Sequence, residues 1–467
     1  MTIAILYQEA AGKNRASKKK DKIDNFNERK YDEVMLKIYP FKALRYNKNK
    51  INIEQVLSAP YDIIDTDEQT ELYARAKQNI IRLILGKVSD TDTAENNRYT
   101  RAKKTLAAWK ENEIFIQDKD PGLYCYEHHF TKDGKQFVLR GLMATMELVD
   151  LEAGIIVPHE NTLKGPIEDR LKLYEACECQ FSAIYTLYAD KDAHIETYID
   201  QVKKQPPLYD VQAETLGGNY QLWGIYDKET IKKLQQLFKE KTLYIADGHH
   251  RYKTARQYQE KQQASAGETQ NELANRCFVL MANLYDEGIH IYPTHRSCFD
   301  LSARQLDNLT KGLNIYFKQD ICTSKDELKK KISEKQAESA IGVIFPDRRY
   351  ICISVKDWAQ VNHFFKEGIS DDLKQVDVTL LHSVILEALL SLTPSSISKQ
   401  ENLRYIKDDK QVFQEIEEGK AQVGFLLNAL PLETLKKLSD NRDKMPQKST
   451  YFEPKLITGL VINPLSD

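Results

Sequence analysis

The sequence lacks several features that would place it in a particular class of protein. No apolar run approaches the length of a membrane span, and the N-terminus lacks the apolar core of a secretory signal. The 67 basic and 69 acidic side chains nearly cancel, which argues against a nucleic-acid binder that relies on bulk positive charge. Seven scattered cysteines do not suggest a disulfide framework. These absences favour a soluble cytoplasmic protein with no nucleic-acid or membrane partner.

Several well-known chemical motifs are also missing. There is no glycine-rich dinucleotide fingerprint, no His-Glu-x-x-His and no internal repeat. Lys448-Ser449-Thr450 resembles the end of a P-loop, but the preceding glycines are absent. Cys177 and Cys179 form the only close cysteine pair, and no second pair stands at metal-ligand spacing, so we interpret them as non-metal residues.

The length of 467 residues and the 41% apolar content allow two to four domains with a sizeable core. Residues 1–34 are rich in Lys, Asn and Asp, so we expect a mobile extension, with Met35 as a candidate start codon. Strand and helix patterns beyond it predict an α+β, mixed-sheet protein in three parts. We expect an N-terminal α+β domain over 35–150, a catalytic core over 151–300 and a C-terminal α/β domain over 301–467.

The turn at residues 247–251 is the most informative stretch. Leu243–Ala246 has the pattern of a buried strand, Asp247 and Gly248 break it, and a polar helical run follows from Arg251. The start of a helix carries exposed N–H groups and partial positive charge, which suits a phosphate. Gly248 permits an anion to come close to the backbone, and the planar guanidinium of Arg251 can donate hydrogen bonds to two phosphate oxygens. His249 and His250 can donate hydrogen bonds or transfer a proton.

An ordinary capped turn is the alternative interpretation of this stretch. Asp is a common N-cap, Gly is common in turns, and a single His at a helix start often bonds only to a nearby carbonyl. Adjacent His and Arg side chains repel one another when charged, however, so their clustering requires an anion or a solvated surface. The residue types therefore favour a phosphate or carboxylate site.

A second strand–loop–helix unit begins at the predicted strand 155–157. Pro158-His159-Glu160 follows the strand, and Pro166 fits the first turn of the next helix. Glu168 and Asp169 are explained by the positive end of that helix. Side chains that directly follow a strand often line a cleft, so the mouth of this unit is a second candidate site, with the residues His159, Glu160, Lys164 and Arg170.

Two further segments bear on the site. Residues 289–296 bring His and Arg after apolar positions and are predicted to form a second wall of the pocket, and Lys448 with its neighbours is predicted to close over it. His128 and His129 lie on opposite faces of a predicted hairpin, so they do not form a chelating pair, and we interpret both as structural.

Six motifs stand in the sequence in this order: Tyr-Pro-Phe-x-Ala-Leu-Arg-Tyr-Asn, Ala-Pro-Tyr-Asp, Pro-His-Glu-x-Thr-Leu-x-Gly-Pro, Glu-Asp-Arg-Leu-Lys-Leu, Tyr-Ile-Ala-Asp-Gly-His-His-Arg-Tyr and Met-Pro-Gln-Lys-Ser-Thr-Tyr-Phe. Together they make the sequence resemble the prokaryotic family named domain of unknown function 1015, from about residue 36 to the C-terminus. The Asp247–Arg251 turn is also similar to that of the ADP-dependent free serine kinases of the ParB/sulfiredoxin-like superfamily, which carry Pro-His-Glu upstream.

The resemblance implies a ParB/sulfiredoxin-like phosphate-binding core and a nucleotide-dependent phosphotransferase. The substrate would be a small hydroxy amino acid, with serine or phosphoserine favoured. ADP or ATP would bind at 247–251, and Mg²⁺ would share the charge through Asp247.

On this hypothesis Glu160 accepts the proton of the attacking hydroxyl, and His249 and His250 assist catalysis. His159, Lys164 or Arg170 would hold the substrate. A non-catalytic nucleotide- or metabolite-binding regulatory protein is the alternative. The direction of transfer and the oligomeric state stay open.

Overall fold

The computed structural model describes residues 35–160, 162, 164–265 and 271–466. The predicted extension over 1–34 lies outside the described residues. The first part of the fold is a mainly helical layer in which side-chain caps fix the helix starts. Asp65 accepts a hydrogen bond from the Glu68 N–H, and Asn97 forms a capping box with Thr100. Its elements are β1 (Ile38–Tyr39), β2 (Leu44–Tyr46), α1 (Ile53–Val56), α2 (Thr66–Arg75), α3 (Ile81–Ile84), α4 (Arg98–Glu111) and β3 (Phe115–Gln117).

A large mixed sheet forms the centre of the protein. It begins with the predicted hairpin, whose turn lies at Asp133 and Gly134, both at positive φ. Its elements are β4 (Leu123–Lys132), β5 (Lys135–Glu147), β6 (Ile156–Pro158), α5 (Lys164–Cys177), β7 (Cys179–Gln180), β8 (Ile184–Tyr188), α6 (His194–Val202), β9 (Tyr209–Ala213), β10 (Gly218–Ile225), α7 (Lys228–Phe238), β11 (Leu243–Asp247), α8 (His249–Ser265) and β12 (Arg276–Asn283).

The strand order of this sheet is β6-β11-β8-β12-β5-β4-β10-β9, and β1 pairs with the end of β5. Two adjacent pairs are parallel, β6 with β11 and β8 with β12, and the others are antiparallel. The sheet takes strands from both sides of residue 150, so the division predicted there runs through a single sheet. Apolar side chains pack on both faces, which explains the near-continuous apolar runs of β11 and β12.

The C-terminal part has its own antiparallel sheet, in the order β15-β17-β16-β19-β14-β18. A strongly apolar helical segment follows Asp377, and most of it is a π-helix, Leu381–Leu389. The elements are β13 (His290–Pro293), β14 (His295–Cys298), α9 (Ala303–Tyr316), β15 (Phe317–Cys322), α10 (Lys325–Glu334), β16 (Ile341–Ile344), β17 (Tyr350–Val355), α11 (Trp358–Val361), α12 (Asp371–Lys374), α13 (Asp377–Leu380), α14 (Pro394–Lys399), β18 (Leu403–Ile406), α15 (Asp409–Glu417), β19 (Val423–Leu426) and α16 (Leu432–Asp440).

The C-terminal segment from Thr450 pairs with strands from earlier parts of the chain. Strand β20 (Thr450–Glu453) pairs with β13, and β21 (Asn463–Pro464) pairs with β7. Residues 456–462 make only isolated bridges, from Thr458 to Ser58 and from Ile462 to Leu44. These pairings form two small two-stranded sheets, β13-β20 and β21-β7, separate from the two large ones.

The remaining expectations concern cysteines and membranes. All seven cysteines are buried and unpaired, in agreement with the absence of a disulfide framework. Among the described residues, no helix combines the length and the apolar character that a bilayer crossing needs.

Candidate functional site

The two strand–loop–helix units meet because β6 and β11 are parallel neighbours. Val157 lies opposite Tyr244 and Pro158 opposite Ile245, so the residues that follow each strand emerge at the same edge of the sheet. Side chains at the carboxyl ends of parallel strands commonly form a ligand crevice. The backbone N–H of His159 donates to Nε2 of His249 at 3.4 Å, and the two rings pack edge to face at 4.6 Å.

A cavity of about 80 Å³ lies at this edge. This is the volume of two or three water molecules, on the order of one phosphate group, and is smaller than the roughly 300–1,000 Å³ of a typical small-molecule site. The structure thus brings Glu160 and the 247–251 turn to one cavity. Its lining is Tyr61, Asp62, Glu160, Asp247, Gly248, His249, His250, Arg251, Gln447 and Lys448.

The conformation of the turn requires a glycine at position 248. Gly248 has φ +96°, a left-handed conformation that L side chains rarely adopt. The first helical hydrogen bond runs from the Tyr252 N–H to the Gly248 carbonyl, so the N–H groups at the start of α8 point out of its end. This arrangement places partial positive charge at the cavity.

The Arg251 side chain is not placed as the sequence predicted. Its guanidinium is buried and donates to the Ala183 carbonyl and to Asp247 Oδ2, the latter at 2.5 Å. An ideal Cβ built on Gly248 would lie only 2.9 Å from Arg251 Nε, so the guanidinium packs directly against the turn. The predicted grip on phosphate is therefore corrected: Arg251 braces the turn from within, and its hydrogen bonds are made to protein atoms.

Asp247 is held between two cations. Its Oδ2 accepts from Arg251, and its Oδ1 accepts from the Lys455 ammonium at 3.1 Å. Burial alone would raise the pKa of this carboxyl, but the charges of Lys455 and Arg251 outweigh burial and hold the pKa well below its usual range. Asp247 is therefore a carboxylate at neutral pH.

The predicted magnesium role of Asp247 does not fit this arrangement, because both of its oxygens face cations. A metal ion would have to compete with Lys455 and Arg251 for the same atoms. Clusters of three or more His, Cys, Asp or Glu side chains able to hold a metal are also absent from the part of the chain that the structure describes. We derive no step through Mg²⁺.

The imidazoles at the site are neutral at pH 7. Burial lowers the pKa of His249 well below 6.5, and the neighbouring His159 lowers it further. Burial also lowers the pKa of His159, whose Nε2 lies 2.9 Å from Thr450 Oγ1. Burial and then the positive charge of Lys448 lower the pKa of His250. A neutral imidazole can both donate and accept a hydrogen bond, which suits His249 and His250, since both line the cavity. His159, predicted to hold the substrate, is buried behind the cavity lining and is bonded to Thr450.

Glu160 is oriented by the loop that follows residue 445. Its Oε1 accepts from the Ser449 N–H at 3.0 Å and from the Thr450 N–H at 3.4 Å. The side chain is 16% exposed and lines the cavity. One carboxylate oxygen is thus fixed by backbone donors, and no hydrogen bond within the described residues engages the other.

Arg170, a predicted substrate residue, lies outside the cavity. It donates to the Ile84 carbonyl at 2.7 Å, pairs with Asp169, and stacks 3.9 Å from the Tyr61 ring. The predicted grip on a substrate carboxylate is corrected to support of Tyr61, which lines the cavity. The backbone of Lys164 begins helix α5, but its side chain lies outside the described residues.

Residues 289–296 do not form a second wall. His290 packs edge to face on Phe137 at 4.7 Å, and Arg296 is buried beneath the loop of residues 447 and 448. The hairpin histidines behave as predicted: His128 stacks on Tyr220 at 4.1 Å, and His129 bonds Glu127 at 3.0 Å.

Sequence reasoning missed three residues of the site. Tyr61 and Asp62 line the cavity from the Ala-Pro-Tyr-Asp turn, and their presence in that motif was the available signal. Lys455 is held against Asp247 and lies 4.3 Å from the Tyr451 ring. Nothing in its local sequence indicates that it reaches a turn about 200 residues earlier.

These observations define a mixed α/β protein with a large mixed sheet, whose candidate site lies at the carboxyl ends of two parallel strands. The chain belongs to the family described as "Protein of unknown function (DUF1015)", which it matches over residues 38–379. No curated protein matches the sequence.

Three solved structures illustrate how distant the similar folds are. At these identities, and with TM-scores below 0.5, we transfer neither a ligand nor a reaction from them. The first is a conserved hypothetical protein from Pyrococcus furiosus, with 13% identity and a TM-score of 0.34, and the match covers 66% of this chain and 90% of that chain. The second is a free serine kinase in complex with AMP, with 11% identity and a TM-score of 0.36, and the match covers 68% of this chain and 92% of that chain. The third is SbnI with a C-terminal truncation from Staphylococcus aureus, with 10% identity and a TM-score of 0.35, and the match covers 69% of this chain and 87% of that chain.

Proposed function

We propose that the protein is a nucleotide-dependent phosphotransferase acting on a small hydroxy amino acid. The observation that carries the proposal is the meeting of a carboxylate and a phosphate-suited helix start in one small cavity. Phosphoryl transfer depends on positioning and charge neutralisation, and this cavity offers both. ADP or ATP is the donor class, and serine or phosphoserine is the favoured substrate, as the resemblance of the turn to a ParB/sulfiredoxin-like site implies.

In this proposal the terminal phosphate of the nucleotide lies against the start of α8. Backbone N–H groups beyond Gly248 donate to its oxygens, and His249 and His250 add ring donors. The cavity has room for the phosphoryl end only, so the nucleoside lies outside it, toward the exposed edge of the sheet.

Glu160 accepts the proton of the attacking hydroxyl in the proposed reaction. The two N–H donors of the loop hold Oε1, which leaves Oε2 to face the substrate. A fixed carboxylate at hydrogen-bond distance from a hydroxyl is the geometry that general-base catalysis requires. The hydroxyl oxygen then attacks phosphorus, the bond from phosphorus to the nucleotide's bridging oxygen breaks, and the nucleotide leaves.

Phosphorus NMR tests this proposal. Purified protein is incubated with serine, ADP or ATP, and Mg²⁺, and in the reverse direction with phosphoserine and AMP or ADP. We expect a phosphoserine signal to appear or disappear with the nucleotide signals. Glu160→Gln should retain nucleotide binding and lower turnover about 10²–10⁴-fold. A Glu160→Gln protein that turns over like wild type would show that the role of Glu160 is wrong.

A nucleotide- or metabolite-binding regulatory protein is the second candidate. The engagement of Glu160 by the loop favours it, because the same hydrogen bonds also suit a purely structural carboxylate. Nucleotide binding by calorimetry, without turnover of any hydroxy amino acid in either direction, would support this candidate over the enzyme.

A further inference from the structure

The loop Met445–Thr450 lies directly on the candidate site. The Met445 N–H donates to the His159 carbonyl at 3.0 Å, and the Ser449 N–H donates to Glu160 Oε1 at 3.0 Å. Thr450 Oγ1 lies 2.9 Å from His159 Nε2. Both ends of the loop are thus tied to the residues that follow strand β6, although nearly 300 positions separate them in the sequence.

Arg296 holds the loop from below. Its side chain is fully buried, and it donates to the Lys448 carbonyl at 3.0 Å and to the Gln447 carbonyl at 3.4 Å. The guanidinium also lies 4.3 Å from the Tyr405 ring. Within the described residues no carboxylate forms an ion pair with it. Nη1 of Arg296 donates to the Thr294 and His295 carbonyls, and Nη2 donates to the two loop carbonyls, so this buried cation connects its own strand to the loop.

Lys448 has an unusual backbone conformation. Its φ is +56°, in the left-handed region that costs a non-glycine residue about 1–2 kcal/mol. The hydrogen bonds on either side, from Arg296 to its carbonyl and from Ser449 to Glu160, hold it there. Strain of this kind is retained where the surrounding contacts over-determine the backbone.

This conformation directs the Lys448 side chain to the cavity. Lys448 is exposed, it lines the cavity with His249 and His250, and its positive charge contributes to the lowered pKa of His250. No carboxylate in the described part of the chain forms an ion pair with its ammonium group. The cavity also contains the carboxylates of Asp62, Glu160 and Asp247, of which Asp247 is paired with Arg251 and Lys455, and Glu160 is bound by the loop N–H groups. Lys448 therefore lies beside a helix start as a cation that none of these carboxylates engages in an ion pair.

We propose that Lys448 is a phosphate-binding residue, brought by the C-terminal loop to the turn at the start of α8. The inference rests on the proposed function, since its ligand is the same phosphoryl group. Lys448 would supply the mobile cation that Arg251, bound to Asp247 and Ala183, does not offer. The ligand class is a terminal phosphate, whether of a nucleoside diphosphate or of free pyrophosphate.

Isothermal calorimetry on the full-length protein tests the assignment, with ADP and with pyrophosphate as separate probes. Lys448→Asn removes the charge and keeps a residue that tolerates positive φ. Loss of one charge-assisted hydrogen bond should lower the affinity for both ADP and pyrophosphate about 10- to 100-fold. Lys448→Arg should bind within a few-fold of wild type. Lys444→Asn removes an equally exposed lysine on the approach to the loop, outside this cavity, and should leave affinity unchanged.

The outcomes separate this inference from the proposed function. If wild type binds ADP and Lys448→Asn binds it equally well, the assignment is wrong while the proposed function stands. If the Lys444 and Lys448 variants weaken binding equally, the effect is one of general charge, and the assignment is also overturned. If Lys448→Asn lowers the affinity for ADP but not for pyrophosphate, the lysine does not contact phosphate, and the assignment is wrong. If wild type binds neither probe, both proposals fail.

Discussion

Replacement of Asp247 by Asn should destabilise the turn and the strand that leads to it. The carboxylate accepts from two buried cations, with side-chain exposures of 21% for Asp247, 5% for Arg251 and 13% for Lys455. Asn keeps a single acceptor oxygen, so one charge-assisted hydrogen bond and the compensating charge are lost. Breaking a buried pair costs about 3–5 kcal/mol, and the partial exposure of Asp247 reduces this to about 2–4 kcal/mol.

Urea unfolding followed by circular dichroism measures this loss, and hydrogen exchange of the amides in strand Leu243–Asp247 localises it. A second change, Lys455→Met, removes one of the cations left unpaired. The double variant Asp247→Asn, Lys455→Met should therefore be more stable than Asp247→Asn alone by about 1–2 kcal/mol.

Asp307 provides a matched control, because it pairs with Lys311 on an exposed helix face. Asp307→Asn makes the same chemical change and should alter the free energy of unfolding by less than about 0.5 kcal/mol. The reasoning would be refuted if Asp247→Asn unfolded at the wild-type urea concentration with unchanged exchange in β11. It would also be refuted if removal of Lys455 from the Asn variant produced a further loss of stability.

Two further predictions concern the same turn. Gly248→Ala should lower the unfolding midpoint by the equivalent of at least about 1–2 kcal/mol and weaken ADP binding, because φ is +96° and the new Cβ would meet the Arg251 guanidinium. Gly165→Ala is the control, because its new Cβ has no atom within 4 Å. This variant should have the wild-type unfolding midpoint or a higher one. The free energy of unfolding should also decrease as pH falls. The folded pKa of His249 is below its usual 6.5, so its contribution is present above about pH 6.5 and is lost as pH falls toward the folded pKa. A His249→Gln variant should show a flatter loss of unfolding free energy between pH 7 and pH 5, and an unchanged slope would contradict the assignment of a buried neutral ring.

Local patterns predicted the elements of the site well. The strand before Asp247, the helix after it, and the second unit after Val157 are each recognisable from apolar periodicity and turn residues. The hairpin with its two structural histidines was also predicted, because strand alternation decides which faces the side chains occupy. These features depend on neighbours within a few positions, so the sequence contains their signal directly.

Two long side chains make contacts that the sequence did not predict, and for a common reason. Arg251 and Arg170 are both long polar residues of a helix that follows a strand and loop, and residue type alone suggests that they face a ligand. The structure gives each guanidinium a buried carbonyl and a nearby carboxylate instead. Whether an arginine faces a cavity or the protein interior depends on which acceptors the rest of the fold brings near it, and a short motif does not contain this information.

The sequence by itself determined the strand–turn–helix units, the hairpin and the residue types that suit a phosphate. Only the tertiary structure decided that Glu160 and the Asp247 turn share an edge, since the parallel pairing of β6 and β11 joins residues nearly ninety positions apart. It alone decided that Lys455 reaches that turn from the end of the chain. Local conformation follows from short-range sterics and hydrogen bonding, whereas the composition of the cavity follows from the packing of distant segments.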